Sequence, residues 1–174
     1  MRITLGNDHC GLGLKDHVKE VLDRMGVEVV DVGTHTTDPV DFPDITRLVC
    51  DPVRRGEVDR GVLLCGTGVG ACIAANKIPG IRAALCHDTF CAHQCVEHDD
   101  VNVLAMGAWI IGPVTAEEVL RTYLNATFST EEHFRRRVAK LHRMELDGAR
   151  ELTATPTAPA DPAAPHAARR SDAP

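Results

Sequence analysis

Apolar and polar positions along the chain fall into two alternating rhythms. Arg2-Ile3-Thr4-Leu5-Gly6 predicts a first strand, and from Leu14 to Met25 apolar residues recur at 14, 18, 21, 22 and 25, the stripe of a helix that Gly26 closes. Val27 to Val32 alternates as a second strand. Asp38-Pro39 and Phe42-Pro43 mark a loop from Gly33 to Pro43, and a helix from Asp44 to Arg55 ends at Gly56. Gly61-Val62-Leu63-Leu64-Cys65 lacks polar side chains before its cysteine, which suits a parallel strand buried on both faces. A helix from Ala71 to Lys77 is then cut short by Pro79-Gly80. The pattern continues with a strand at Ile81–Cys86, a helix at His87–His98, a strand at Asn102–Met106, and helices at Thr115–Ala126 and Glu131–Arg150. Strands alternating with helices through Gly107 predict an α/β fold with a parallel, doubly wound sheet.

Composition sets the domain boundaries. From Thr153 to Pro174 the sequence reduces largely to Ala, Pro and Thr without strand or helix period, so residues 151–174 are expected to be a disordered tail on a domain spanning residues 1–150. A chain of 174 residues is long enough for one full core. The formal net charge of −6 argues against nucleic acid or an anionic membrane as partner. No apolar run approaches membrane-spanning length, and the N-terminus enters a strand without a signal peptide's regions, so a cytoplasmic location is expected. Seven cysteines without a secretory signal point to free thiols rather than a disulfide framework.

The chemistry centres on the segment from Gly61 to Lys77. Gly66, Gly68 and Gly70 can turn tightly after the strand and aim several backbone N–H groups into one hollow. The following helix adds its positive end, and the hollow suits an anion. Cys65 stands at the strand's last position. Beside aimed amides it has a route to a lowered pKa and to work as a base or nucleophile. Neighbouring strand ends offer Asp8-His9 and Gly107-Ala108-Trp109 to the same rim, and His98-Asp99 could reach the rim of this subunit or of a partner. A thiol, an imidazole and an anion nest together suit proton abstraction next to a carbonyl, with the nest holding the enediolate oxygen.

Other readings of these residues stand beside that one. Free cysteines are often small buried hydrophobes. Gly66, Gly68 and Ala71, with Asp88 further on, fit a dinucleotide fingerprint, although the helix after the glycines is short and the strand is not the first. Cys91, Cys95 and His98 share a helix face and offer zinc-type ligands, although paired zinc-finger spacing is absent. Arg135-Arg136-Arg137 reads as a solvated charged run.

Several separate stretches resemble one family. Asp8-His9, Cys65-Gly66-Thr67-Gly68-Val69-Gly70 leading to Ile73-Ala74-Ala75-Asn76-Lys77, Pro79-Gly80-Ile81-Arg82-Ala83-Ala84, and Asn102-Val103-Leu104-Ala105-Met106-Gly107 look like the type B ribose-5-phosphate isomerases and their galactose-6-phosphate isomerase relatives. The resemblance runs in order over roughly residues 1 to 147 and displaces the dinucleotide reading. It implies a Rossmann-like three-layer sandwich with a five-stranded parallel sheet, and an aldose–ketose isomerase that needs neither metal nor cofactor. It further implies a homodimer or dimer of dimers with sites between subunits. By resemblance Cys65 is the base, and Thr67 with the amides of Gly66, Gly68, Val69 and Gly70 stabilises the enediolate. His98 assists ring opening, Asp8 and His9 contact sugar hydroxyls or phosphate, and Arg137 belongs to a phosphate-binding segment.

The departures from the family pattern bear on the substrate. Asp99 stands where Asn is common, and a carboxylate accepts but cannot donate as an amide does. Trp109 stands where Arg is common, His133 takes the place of another Arg, and Phe134 follows it in place of His. Phe42 replaces a common Tyr. The small-molecule partner is thus a sugar or sugar phosphate, most simply ribose 5-phosphate. An unphosphorylated or four- or six-carbon sugar, and a non-catalytic sugar or nucleotide binder, are the alternatives.

Overall fold

A computed structural model describes residues 1–154, and the expected disordered tail falls, from residue 155 onward, outside the described residues. The elements in order are β1 (Arg2–Asn7), α1 (Leu12–Arg24), β2 (Glu28–Asp31), α2 (Phe42–Arg54), β3 (Arg60–Cys65), α3 (Val69–Ala75), β4 (Ala83–Leu85), α4 (Thr89–Asp99), β5 (Val103–Gly107), α5 (Pro113–Asn125) and α6 (Glu132–Ala154). The five strands form one sheet in the order β2-β1-β3-β5-β4, and every pairing is parallel.

Side-chain alternation along the central strands builds a core on each face. Ile3 and Leu5 of β1, Val62 and Leu64 of β3, and Leu104 and Met106 of β5 pack with α1, α4 and α5. Leu63, Val103 and Ala105 face the opposite way, onto α2 and α3. Both faces of β3 and β5 are therefore covered, which is why their sequences are continuously apolar. Each buried Ile, Leu, Val or Met among these contributes ~1.5–3 kcal/mol relative to exposure. The α/β three-layer architecture expected from the sequence is the one observed.

The ends of several elements differ from expectation for local reasons. Pro43 lies in the first turn of α2, where a missing N–H costs no hydrogen bond, so that helix begins at Phe42. α3 begins at Val69 because Gly68, at φ 80°, turns the chain directly into it. β4 is short because side chains complete its edge. Asn76 donates to the Ala83 carbonyl and accepts the Ala83 N–H, both at 2.9 Å. Asn102 accepts the Arg82 N–H at 2.9 Å and donates to the Gly80 carbonyl at 3.0 Å. Side chains that occupy an edge strand's polar groups also keep it from pairing with another sheet. α6 runs to Ala154, beyond the Arg150 end expected, with no residue buried.

Candidate active site

Two loops meet where the strand order reverses. β1 lies between β2 and β3, so the chain leaves the C-terminal ends of β1 and β3 in opposite directions and a crevice opens between them. β1 delivers Asp8 and His9 to it; β3 delivers Cys65 and the glycine turn. The Asp8 N–H extends the ladder by donating to the Leu64 carbonyl at 3.1 Å, and the Asp8 carboxylate, itself buried, accepts the Gly11 N–H at 2.9 Å. His9 Nδ1 accepts the Val40 N–H at 3.3 Å, which leaves the proton of neutral His9 on Nε2 and ties the loop after β2 to the crevice. The ring of Phe42, the first residue of α2, closes over Gly70, where an added Cβ would lie 3.0 Å from Phe42 Cζ.

Cys65 is half-buried, and its thiol pKa is raised rather than lowered. Burial pushes it up most, and the facing Asp8 carboxylate pushes it further. The N–H groups of Gly68 and Gly66 pull the other way and are outweighed. The aimed amides foreseen from the glycine spacing are present, but Asp8 adds a like charge to the thiolate that only the folded chain brings there. Thr67 is exposed, and its hydroxyl accepts the Val69 N–H at 3.3 Å.

The exit of β5 completes this rim. Gly107 pairs in register with Cys65, Ala108 N–H donates to the Cys65 carbonyl at 2.8 Å, and Trp109 N–H donates to the Gly66 carbonyl at 2.9 Å. The Trp109 ring lies against Gly66, where a Cβ would stand 2.8 Å from Cζ3, yet the residue remains 69% exposed. His87, expected as the first residue of a helix, instead sits in the turn before α4, and its Nε2 accepts the Gly107 N–H at 3.0 Å. No local sequence pattern marks that contact, because it depends on where β4 ends beside β5.

The remaining expected site residues gather at the opposite edge of the sheet. α4, with 11 residues, returns from the C-terminal rim over ~16 Å. Its last residue, Asp99, offers its carbonyl to Arg82 Nε at 3.1 Å, just ahead of β4. His98 therefore cannot reach the Cys65 rim of its own chain. Its ring stacks on Phe134 of α6 with centroids 3.9 Å apart and an interplanar angle of 17°. His133 Nδ1 is 3.3 Å from Glu131, and the Arg137 guanidinium is 5.8 Å from the Phe134 ring centroid. Arg136 is engaged by Glu132 at 2.6 Å and Arg135 lies over Phe128, whereas Arg137 has no carboxylate partner among the described residues.

The helix-face zinc set does not converge. The Cys95 thiol is buried 3.9 Å from Cys86, Cys91 is exposed, and His98 is committed to Phe134. A cavity of about 320 Å³ between α6 and the Asn76–Arg82 segment is lined by Leu141, His142 and Glu145, away from the strand ends that carry the thiol.

Moving a proton on a small polar molecule is chemistry such a switch-point crevice can serve, and fold and crevice together define an α/β protein with a candidate active site at its strand ends. Comparison with known proteins makes the assignment specific. The chain belongs to the ribose/galactose isomerase family, whose sequence model matches residues 3–141. Ribose-5-phosphate isomerase B of Escherichia coli is 41% identical over 135 residues, covering 78% of this chain and 91% of that protein. D-erythrulose-4-phosphate isomerase of Pectobacterium atrosepticum is 38% identical, covering 74% and 85%. Among solved structures, Clostridium thermocellum ribose-5-phosphate isomerase B matches with TM-score 0.82 at 42% identity, covering 85% of this chain and 99% of that one. Mycoplasma genitalium ribose-5-phosphate isomerase B with bound ribulose-5-phosphate matches with TM-score 0.79 at 35% identity, covering 84% and 97%. No helix among the described residues is long and apolar enough to cross a membrane.

Proposed function

We propose that this chain interconverts ribose 5-phosphate and ribulose 5-phosphate by moving one proton between C2 and C1 through a cis-enediolate. The observation that carries the reading is the position of Cys65 at the crevice, with Asp8 and the glycine turn around its sulfur. In this reading the Cys65 thiolate takes the C2 proton of the open-chain aldose, and the bonding electrons move to the carbonyl oxygen. Returning the proton to C1 while the C2 hydroxyl passes its own proton to the C1 oxygen yields the ketose. The turn's N–H groups from Gly66 to Gly70, with Thr67, hold the developing oxyanion. Asp8 and His9 contact sugar hydroxyls. The reaction needs no metal or cofactor.

His98, Asp99, His133 and Arg137 enter from a second subunit in this proposal. Their separation from Cys65 within one chain supports a homodimer, alone or as a dimer of dimers, in which the partner subunit's His98 assists furanose opening and the partner subunit's Arg137 meets the phosphate. Exposed Val69, Ile73, Trp109 and Ile110 beside the crevice supply apolar surface for such a contact. A cytoplasmic location accompanies the assignment.

Trp109 favours a second reading, the same chemistry on a four-carbon or unphosphorylated sugar, and a relative named for D-erythrulose 4-phosphate stands at similar identity. Ketose formation from a panel of four-, five- and six-carbon aldoses, with and without phosphate and in EDTA, separates the two. Cys65→Ala is expected to lose more than about tenfold in kcat, or ~1.4 kcal/mol in barrier height. Turnover kept within that limit would assign the proton transfer to another group.

A further inference from the structure

β5 outlasts its neighbour β4. The last bond between them runs from the Cys86 N–H to the Ala105 carbonyl at 3.1 Å. In an unbroken parallel ladder the next would run from the Gly107 N–H to the Cys86 carbonyl. The chain turns away instead, and His87 Nε2 takes the place of that carbonyl at 3.0 Å. On the other side of the same strand, Ala108 and Trp109 donate to the Cys65 and Gly66 carbonyls at 2.8 and 2.9 Å. Gly107 has no slack within this clamp, because a Cβ there would lie 2.6 Å from the Thr67 carbonyl oxygen. The ring of His87 is thus bonded to the residue that presses on the Cys65–Thr67 turn and carries Trp109 to the rim.

We infer that His87 is a positioning residue for the proposed isomerisation: its neutral imidazole holds Gly107 through Nε2, keeps Trp109 and the Cys65–Thr67 turn in register, and releases them when protonated. The inference rests on the isomerase reading for its kinetic consequence, but the latch itself is structural. An acceptor at Nε2 requires the ring proton on Nδ1; a second proton would set N–H against N–H. Burial lowers the pKa of His87, and the Asp88 carboxylate opposes that shift. Gly107 brings no charge, and the Asp88 carboxylate is itself engaged by the Cys91 N–H at 2.8 Å as the cap of α4. The latch therefore stays closed at neutral pH and opens on acidification, below the ordinary histidine range.

Trp109 is the chain's one tryptophan, so its fluorescence reports the latch without any turnover. Emission followed from about pH 8 to about pH 5 is expected to change in one step in the wild type. The step should vanish in His87→Gln, whose side-chain carbonyl accepts the Gly107 N–H without titrating. His87→Leu offers no acceptor, and about a ten- to hundredfold fall in kcat/KM at pH ~8 is expected, with most of it restored in His87→Gln. Should His87→Leu fail to fold, the Gln variant and the wild-type titration still decide. The same acid step in His87→Gln as in the wild type would overturn the inference, as would full kcat/KM in a folded His87→Leu protein. A wild type inactive on every sugar of the panel would reject the isomerase reading, and the fluorescence titration would still judge the latch.

Discussion

Asp8 faces Cys65 across the crevice between β1 and β3, and its carboxylate adds to burial in holding the thiol above its ordinary pKa. The thiolate proposed as the base is therefore the minor form at neutral pH, and kcat/KM is expected to rise as pH climbs toward the thiol's pKa. Asp8→Asn removes the like charge, so the thiol pKa falls and the rising limb moves to lower pH, even if a lost sugar contact lowers the plateau. The pH profile of kcat/KM in both proteins checks this. A limb that stays in place would mean that another group limits the rate.

Trp109 carries one neutral N–H where the resemblance noted from the sequence has Arg as a common residue, and a phosphate dianion is held best by bidentate arginine. Trp109→Arg is expected to raise kcat/KM for ribose 5-phosphate by about tenfold or more while leaving unphosphorylated ribose unchanged, one charge-assisted contact being worth ~1.5–3 kcal/mol. A strong phosphate preference in the wild type that Trp109→Arg does not improve would place the phosphate on Arg137 and its neighbours alone.

Tyr123 is fully buried, and its hydroxyl has no hydrogen-bond partner among the described residues. Its ring still supports the Arg60 guanidinium, 4.9 Å from the centroid, and Arg60 in turn binds the Tyr123 and Ala126 carbonyls. Tyr123→Phe keeps the ring and removes the unpaired group, so it is expected to be neutral or to stabilise by up to ~1 kcal/mol, a few degrees in Tm. Thermal unfolding of the two proteins measures it. A loss larger than that would reveal a bonded hydroxyl.

The strands were legible because burial on both faces leaves an unmistakable apolar run, as in Val62-Leu63-Leu64. The crevice was legible because glycines after such a run imply a turn whatever the tertiary context. What escaped was whatever depends on a neighbour distant in sequence. The upward shift of Cys65 comes first from its burial and then from Asp8 arriving from β1. The start of β4 is set by Asn76 and Asn102 side chains standing in for strand backbone. His87 looks like the start of a helix until β5 is seen to outrun β4. His98 could be assigned to either rim until the return path of α4 put it at the far edge.

That distance has a genetic consequence for the proposed dimer. If each site takes its thiol from one chain and its ring-opening imidazole from the other, Cys65→Ala and His98→Ala are complementary lesions. A mixed dimer concentrates both defects in one site and leaves the other intact. Two preparations, each impaired alone, should on dissociation and random reassociation recover about a quarter of the wild-type sites, since half the dimers are mixed and each holds one whole site.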